Sequence, residues 1–434
     1  MRVRIIGAGL AGCEAAWFLA NHGVDVDLYE QKPIKRSLAH KNDNFAELVC
    51  SNSLKADRIS SAGGLLKAEM RLFDSICLKA ADTCKVAAGG ALAVNRDDFS
   101  NYITQQIKNH PKITVHYEEV TKIFDDGIVI VASGPLTQGE LFDDIQSKCG
   151  DYLSFYDAAA PIVSADSIDM NIAFTQSRYS DDEGDYINCP MNKEEYETFY
   201  NALVTAESAK LHEFDKPTVY EGCMPIEIMA KRGPDTIRFG PMKPVGLRDP
   251  RTNHRPWAVV QLRKENEQGT MYNMVGFQTN LKFPEQKRVF SMIPSLQNAE
   301  FLRYGVMHRN TFICSPKLLD GFFNLQSDKR IFFAGQITGV EGYMESAMSG
   351  IVSAIGAYKA IFDKPISPLP KDTMCGALCS YISDKTVVDF QPMGANFGIL
   401  PKPEQVIKNK QERYTVIANE SLQKMKKYIK DMMI

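Results

Sequence analysis

The sequence predicts an α/β protein: a Rossmann-type dinucleotide-binding domain with a second α/β domain inserted into it. Three observations predict this. A glycine-rich turn lies between a short apolar strand and a helix at the start of the chain. A second strand, glycine turn and helix follow near residues 330–361. Between them, charged turns, prolines and short strands replace the βαβ rhythm. The expected division is 1–155 with 300–434 for the dinucleotide domain, and 156–299 for an inserted substrate domain.

Val3 to Ile6 reads as a strand, Cys13 to Asn21 as a helix stopped by Gly23, and Val24 to Leu28 as an alternating second strand ending at Glu30. Residues 31–64 read as a long loop, 65–86 as helix, and Arg96 to Ile107 as a helix capped by Asn95. Ile128 to Ala132 and Arg330 to Ala334 are apolar strands, and Met344 to Ile361 is a long helix rich in small residues. The last thirty or so residues, with Lys402, Lys408, Lys410, Arg413, Lys424, Lys426, Lys427 and Lys430, read as an exposed helix with one basic face.

With 434 residues, 44 % apolar and 24 % charged, the chain can bury a sizeable core, which excludes a disordered protein. A net charge of −3 does not advertise a nucleic-acid binder, so charge is read regionally. The stretch Ala230 to Lys264 is the most basic, and Lys231, Arg232, Lys243, Arg248 and Arg251 are its candidate RNA-phosphate contacts; a solvated loop with scattered charges explains them equally well. The 10 cysteines lack paired metal or redox spacing and read as reduced thiols, most of them buried and inert. No apolar run is long enough to span a membrane. The expectation is a cytoplasmic protein with no metal and no membrane partner.

Gly7-Ala8-Gly9-Leu10-Ala11-Gly12 fits GxGxxG in the context that pattern requires. Gly7 permits the tight turn, Gly9 lets the backbone approach a pyrophosphate, and Gly12 lets helix and strand pack closely. The helix N-terminus offers free N–H groups to phosphate, and Glu30 can accept from ribose hydroxyls. The motif alone does not separate FAD from NAD. The second turn, Ile331 through Gly335 and Gln336, is similar to the late turn with which two-part flavoproteins hold the flavin end of FAD. Tyr343 beside it is a candidate for lining the flavin.

Three further segments stand out: Glu47-Leu48-Val49-Cys50-Ser51-Asn52-Ser53, Glu221-Gly222-Cys223-Met224-Pro225, and Arg303-Tyr304-Gly305-Val306-Met307-His308-Arg309-Asn310. Together with GAGLAGCEAAW, AAGGALAVNRDDF, GPMKPVGLRDPRT, VVQLR, VGFQTNLKFPEQKR, GQITGVEGYMESAMSG and FQPMGANFG, they cover nearly the whole chain. In these motifs the chain resembles the folate- and FAD-dependent tRNA (uracil-5-)-methyltransferases, and more remotely the glucose-inhibited division protein A flavoproteins that modify the wobble uridine. The resemblance implies that methylenetetrahydrofolate supplies one carbon, that reduced FAD supplies the electrons, and that NADPH or NADH reduces the flavin. The product would be 5-methyluridine in tRNA. It further implies that a thiolate adds to uracil C6 to make C5 nucleophilic. Cys223 matches the family nucleophile. Cys50 matches the second cysteine, acting beside it in proton transfer or in an adduct. His308 matches the position that stacks on the folate.

Two alternatives keep the dinucleotide site but change the function. The same chemistry on ribosomal RNA would carry the same motifs. An FAD oxidoreductase of a small molecule or disulfide is a different class, and the lack of a CxxC and of a clear second GxGxxG disfavours a disulfide reductase of the usual kind.

Overall fold

The computed structural model describes residues 2–37, 39–179, 184–209, 224–401 and 407–432, with side chains omitted at 155–157 and 308. One core is built on a five-stranded parallel sheet in the order Ile331–Phe333, Ile128–Val131, Arg2–Ile6, Asp25–Glu30, Ile113–Tyr117. A parallel sheet is covered on both faces, so its strands can read as continuous apolar runs, as the inner IVIV and the edge IFF do.

The first helix, Leu10–Asn21, starts three residues before the Cys13 expected from the apolar spacing. The reason is the glycine motif itself. Gly9 is extended and serves as N-cap, so the residues after it form the first turn. The long late helix, Tyr343–Phe362, lies directly against this first helix. A Cβ on Gly350 would stand 2.1 Å from the Ala11 carbonyl oxygen, so only glycine permits the approach.

Other expectations are corrected in detail. The single helix over 65–86 is two helices, Ala62–Arg71 and Ile76–Thr83, followed by the short strand Lys85–Val86. Asp74 takes a left-handed φ of 60° between the helices, and the Ser75 side chain caps the second by accepting from Leu78 N–H. The long loop contains a strand, Ser53–Ala56, paired with Ala91–Val94. The helix Arg96–Asn109 begins as expected, with the Asn95 side chain accepting from Asp97 and Asp98 N–H.

The C-terminal helix, Lys410–Met432, is not simply exposed: Ile417, Ala418, Ser421 and Met425 are buried against the first core. The Ser421 hydroxyl donates to the buried Glu69 carboxylate at 2.5 Å. Glu69 also accepts from Met374 and Cys375 N–H at 2.8 Å each, which locks three helices together. Lys408, Lys410, Lys424, Lys426, Lys427 and Lys430 lie on the exposed side, and Lys402 falls outside the described residues.

A second core runs from Ala160 to Ala299 around a six-stranded antiparallel sheet. The strand order is Phe174–Thr175, Tyr186–Met191, Ala258–Lys264, Met271–Met274, Ile162–Ser164, Phe301–Arg303. The chain leaves the first core through Leu153–Ala158 and returns through Met307–Phe312. These two strands pair antiparallel as a ribbon between the cores. Among the described residues, no helix is long and apolar enough to cross a membrane.

Gly350→Ala is expected to force the two helices apart and cost about 1–3 kcal/mol, the usual cost of overpacking. Gly90→Ala is the control, because a Cβ there meets nothing within 4 Å. Thermal unfolding of both variants checks this: a lower midpoint for Gly350→Ala alone is the expected outcome.

Candidate active site

The two glycine turns open into one cleft with a cavity volume of about 200 Å³. Gly7, Ala8, Gly9, Leu10 and Ala11 line one side with Glu30, and Gly335, Gln336 and Tyr343 line the other. Gly12 lies behind the lining and does the packing work: a Cβ there would fall 1.8 Å from the Gly7 carbonyl oxygen. Gly7 has a φ of +101° and sits against Ala132, so it too admits no side chain. Gly9 differs from both. A Cβ on it would meet no protein atom within 4 Å, so the space above it is open to a ligand.

The first helix has no side-chain cap and no acidic residue in its first turn. Its N-terminal N–H groups therefore face the cleft with their partial positive charge uncancelled, as an anion site requires. The buried Glu30 carboxylate accepts from Ala8 N–H at 3.0 Å and from Lys32 N–H at 2.9 Å. These bonds fix its orientation at the cleft wall and leave each oxygen a further lone pair. Across the cleft, Gly335 has a φ of +86°, and its N–H donates to the Ser349 hydroxyl at 2.6 Å. The Gln336 side chain donates to Glu341 at 2.9 Å. A dinucleotide fits this donor set: a phosphate-sized opening at a helix N-terminus, an acid at the end of the second strand, and a glycine turn opposite.

Cys50 lies beside this cleft. Its backbone N–H donates to the Tyr343 hydroxyl at 2.7 Å, and Ser51 N–H donates to the same oxygen at 3.1 Å. Burial, and next to it the charge of Cys50, push the Tyr343 hydroxyl up, so it stays protonated. The half-buried Cys50 thiol points to the Ala158 carbonyl at 3.7 Å, at the end of the outgoing ribbon strand. Ala158 pairs with Met307, and the next pair along the ribbon is His308 with Asp157. The backbone register thus places position 308 one pair along from the residue whose carbonyl the Cys50 thiol meets. Cys223 lies outside the described residues. The chain described from Met224 onward is anchored nearby: Ile226 N–H donates to the Gln278 carbonyl at 2.7 Å, and Thr279 N–H to the Ala159 carbonyl at 3.3 Å.

The basic stretch divides. Lys231, Arg232, Lys243, Arg248 and Arg251 are exposed. Arg251 is already paired with Asp249 at 2.6 Å, and Arg248 bonds to Asn253 at 3.3 Å. Arg263, from the same stretch, turns inward: it is 7 % exposed and bonds to Asn52 and Ser51. Single-residue charge does not distinguish these cases, but Arg263 stands inside the apolar strand AVVQLRK, which is the cue for burial. Of the nine described cysteines, Cys13, Cys77, Cys149, Cys189, Cys375 and Cys379 are buried. Burial pushes the Cys189 thiol up to about 12, which leaves it inert.

Fold and cleft together define a protein of the two-turn dinucleotide-binding class. The comparisons with known proteins narrow this. Residues 2–365 match the family Glucose inhibited division protein A. A methylenetetrahydrofolate–tRNA-(uracil-5-)-methyltransferase of Listeria monocytogenes is 55 % identical over 431 residues, covering 99 % of both chains. The protein of that name from Acetivibrio thermocellus is 56 % identical over 428 residues, covering 98 % of each. The crystal structure of Aquifex aeolicus GidA superposes with a TM-score of 0.70 at 17 % identity, covering 99 % of this chain and 78 % of that one, which speaks for the fold alone. The chain belongs to the methylenetetrahydrofolate–tRNA-(uracil-5-)-methyltransferase family, within the wider glucose-inhibited division protein A group.

The two motif glycines are expected to fail in different ways. Gly9→Val should fold normally but lose FAD, because its side chain fills the open cradle. Gly12→Val should lose stability, because its side chain strikes backbone. FAD titration alongside thermal unfolding separates them; equal FAD affinity in Gly9→Val and the unaltered chain would refute the cradle.

Proposed function

We propose that this chain methylates C5 of a tRNA uridine, taking the carbon from methylenetetrahydrofolate and the electrons from FAD reduced by NADPH or NADH. The observation that supports this reading is the meeting of both glycine turns and the Cys50 loop at one cleft, with the Cys50 thiol against the 153–158 strand of the ribbon, in a chain whose relatives at 53–56 % identity are named methylenetetrahydrofolate–tRNA-(uracil-5-)-methyltransferases.

The residues divide the work. The Gly7–Gly12 turn and the helix after it hold the pyrophosphate, Glu30 the ribose, and Gly335, Gln336 and Tyr343 the flavin end. When bound and reduced, FAD supplies the hydride that completes the methyl group. Cys223 adds to uracil C6 as a thiolate; the new S–C6 bond pushes the C5=C6 electron pair toward C5, which attacks the methylene carbon, and loss of the C5 proton with cleavage of the carbon's bond to the folate nitrogen leaves an exocyclic methylene; once a hydride has made this a methyl, the S–C6 bond breaks, the C5=C6 bond re-forms and the thiolate departs. Cys50, fixed beside the ribbon, handles the C5 proton or shares the adduct. His308 stacks on the folate from the ribbon. The unit 156–299 presents the RNA, with Lys231, Arg232, Lys243, Arg248 and Arg251 toward its phosphates; Lys243, exposed and without an ion pair among the described residues, is a better contact than Arg251, whose charge Asp249 answers. The target uridine must leave its stack to reach the cleft. The reaction would take place in the cytoplasm.

The test is methylation with methylenetetrahydrofolate, FAD and NADPH on unmodified tRNA and ribosomal RNA in separate reactions. 5-Methyluridine in the tRNA, lost in Cys223→Ala and reduced at least a hundredfold in Cys50→Ala, is the expected outcome. Product in ribosomal RNA alone would transfer the chemistry to that substrate. Product in neither, with flavin turnover on small substrates, would make the chain an ordinary oxidoreductase.

A further inference from the structure

The loop that carries Cys50 is gripped by three arginines from three separate elements. Arg96, first residue of the helix Arg96–Asn109, donates to the Leu48 carbonyl at 2.8 Å and to the Cys50 carbonyl at 3.1 Å. Arg263, from the strand Ala258–Lys264, donates to the Asn52 side chain at 3.0 Å and the Ser51 hydroxyl at 2.9 Å. Arg303, from the strand Phe301–Arg303, donates to the Val49 carbonyl. Residues 48 to 52 are thus each bonded to a guanidinium, and two of the three arginines belong to the second core.

The charges do not balance. Arg96 is paired with the buried Glu265, at 2.6 Å. Among the described residues, no carboxylate lies within ion-pair distance of Arg263 or Arg303; their partners are a side-chain amide, a hydroxyl and a carbonyl. Burial pushes both guanidiniums down from their ordinary value, with the neighbouring Arg96 charge working in the same direction. Glu265 and the Cys50 sulfur pull both back, Tyr186 helps at Arg263, and Tyr343 at Arg303. Among the described residues, three cations and one carboxylate leave an excess of positive charge, which favours a nearby anion against the cost of its burial.

We infer that Arg96, Arg263 and Arg303 are positioning residues that hold the 48–52 loop in one geometry and favour the thiolate of Cys50. This rests on the proposed role of Cys50 but adds what makes that thiol competent. A neutral thiol is a poor base and a poor nucleophile; a cationic surrounding raises the thiolate fraction near neutral pH. Because Arg263 and Arg303 come from the second core, Cys50 acquires this setting only when the two cores are docked.

The sign follows directly. An added positive charge favours the charged form of an acid, so the thiol pKa falls, and removing one guanidinium raises it. The test is residue-resolved alkylation of Cys50 by iodoacetamide in the full FAD-loaded chain across pH, read by mass spectrometry. The unaltered chain should react with a midpoint below the ordinary value of about 8.5. Arg303→Gln should raise that midpoint by roughly one unit, about a tenfold loss of thiolate at a given pH, and Arg303→Lys should restore most of it. Arg263→Gln, on a different strand, should shift it the same way and covers the case in which Arg303→Gln does not fold. A midpoint near 8.5 that neither substitution moves would overturn the inference. Alkylation needs no turnover, so a chain inactive in methylation would leave this result intact, and the two failures are distinguishable.

Discussion

The first helix and the long late helix touch closely enough that a Cβ at Gly350 would overlap the Ala11 carbonyl oxygen, 2.1 Å away. That approach sets most of the candidate site. The first helix opens at Gly9 and carries one side of the cleft; the late helix opens at Tyr343 and carries the other. With the two crossing at van der Waals contact, both N-termini face the same space. Ser349 and Ser353, on the late helix, then bond to Gly335 N–H and the Phe333 carbonyl, tying the second glycine turn to its own helix. A larger residue at 350 would separate the two walls, whatever the quality of each turn.

The second constraint is the junction between cores. The ribbon carries the chain across, and the Arg96–Glu265 pair, at 2.6 Å and nearly buried, clips the start of one helix to the end of a strand in the other sheet. A buried ion pair is not in itself a source of net stability, because both ions lose their water. Its geometry matters more here: the same guanidinium holds two carbonyls of the Cys50 loop, so docking of the cores and placement of the thiol are one event.

How much of this was legible in the sequence depends on the range of the forces involved. The βαβ unit was read correctly from Val3 to Glu30 because apolar period and glycine turn chemistry are local. The apolar spacing places the helix start three residues late, because Leu10 to Gly12 read as the motif and not as a helical turn. The split at Asp74 and Ser75 is invisible to that period, because one left-handed residue interrupts it without erasing it. The C-terminal helix looked wholly exposed because its buried face rests on Glu69, some 350 residues earlier, which no local pattern reports. At the site, Gly9, Glu30, Gly335 and Tyr343 were found from motifs and line one cleft. Arg96, Arg263 and Arg303 lie within or beside the quoted motifs, yet were not singled out, since their meaning comes from tertiary contacts alone. Cys223 was legible only through the family resemblance.

Under the proposed function, the cleft walled by the two glycine turns places a dinucleotide so that its reactive end meets the Cys50 loop. The measurement that tests it most directly is a crystal structure of the chain with FAD bound. The pyrophosphate is expected over Gly9 at the start of the first helix, and the flavin ring in contact with Tyr343 beside Cys50. A flavin ring bound away from Tyr343, or a pyrophosphate away from Gly9, would contradict it.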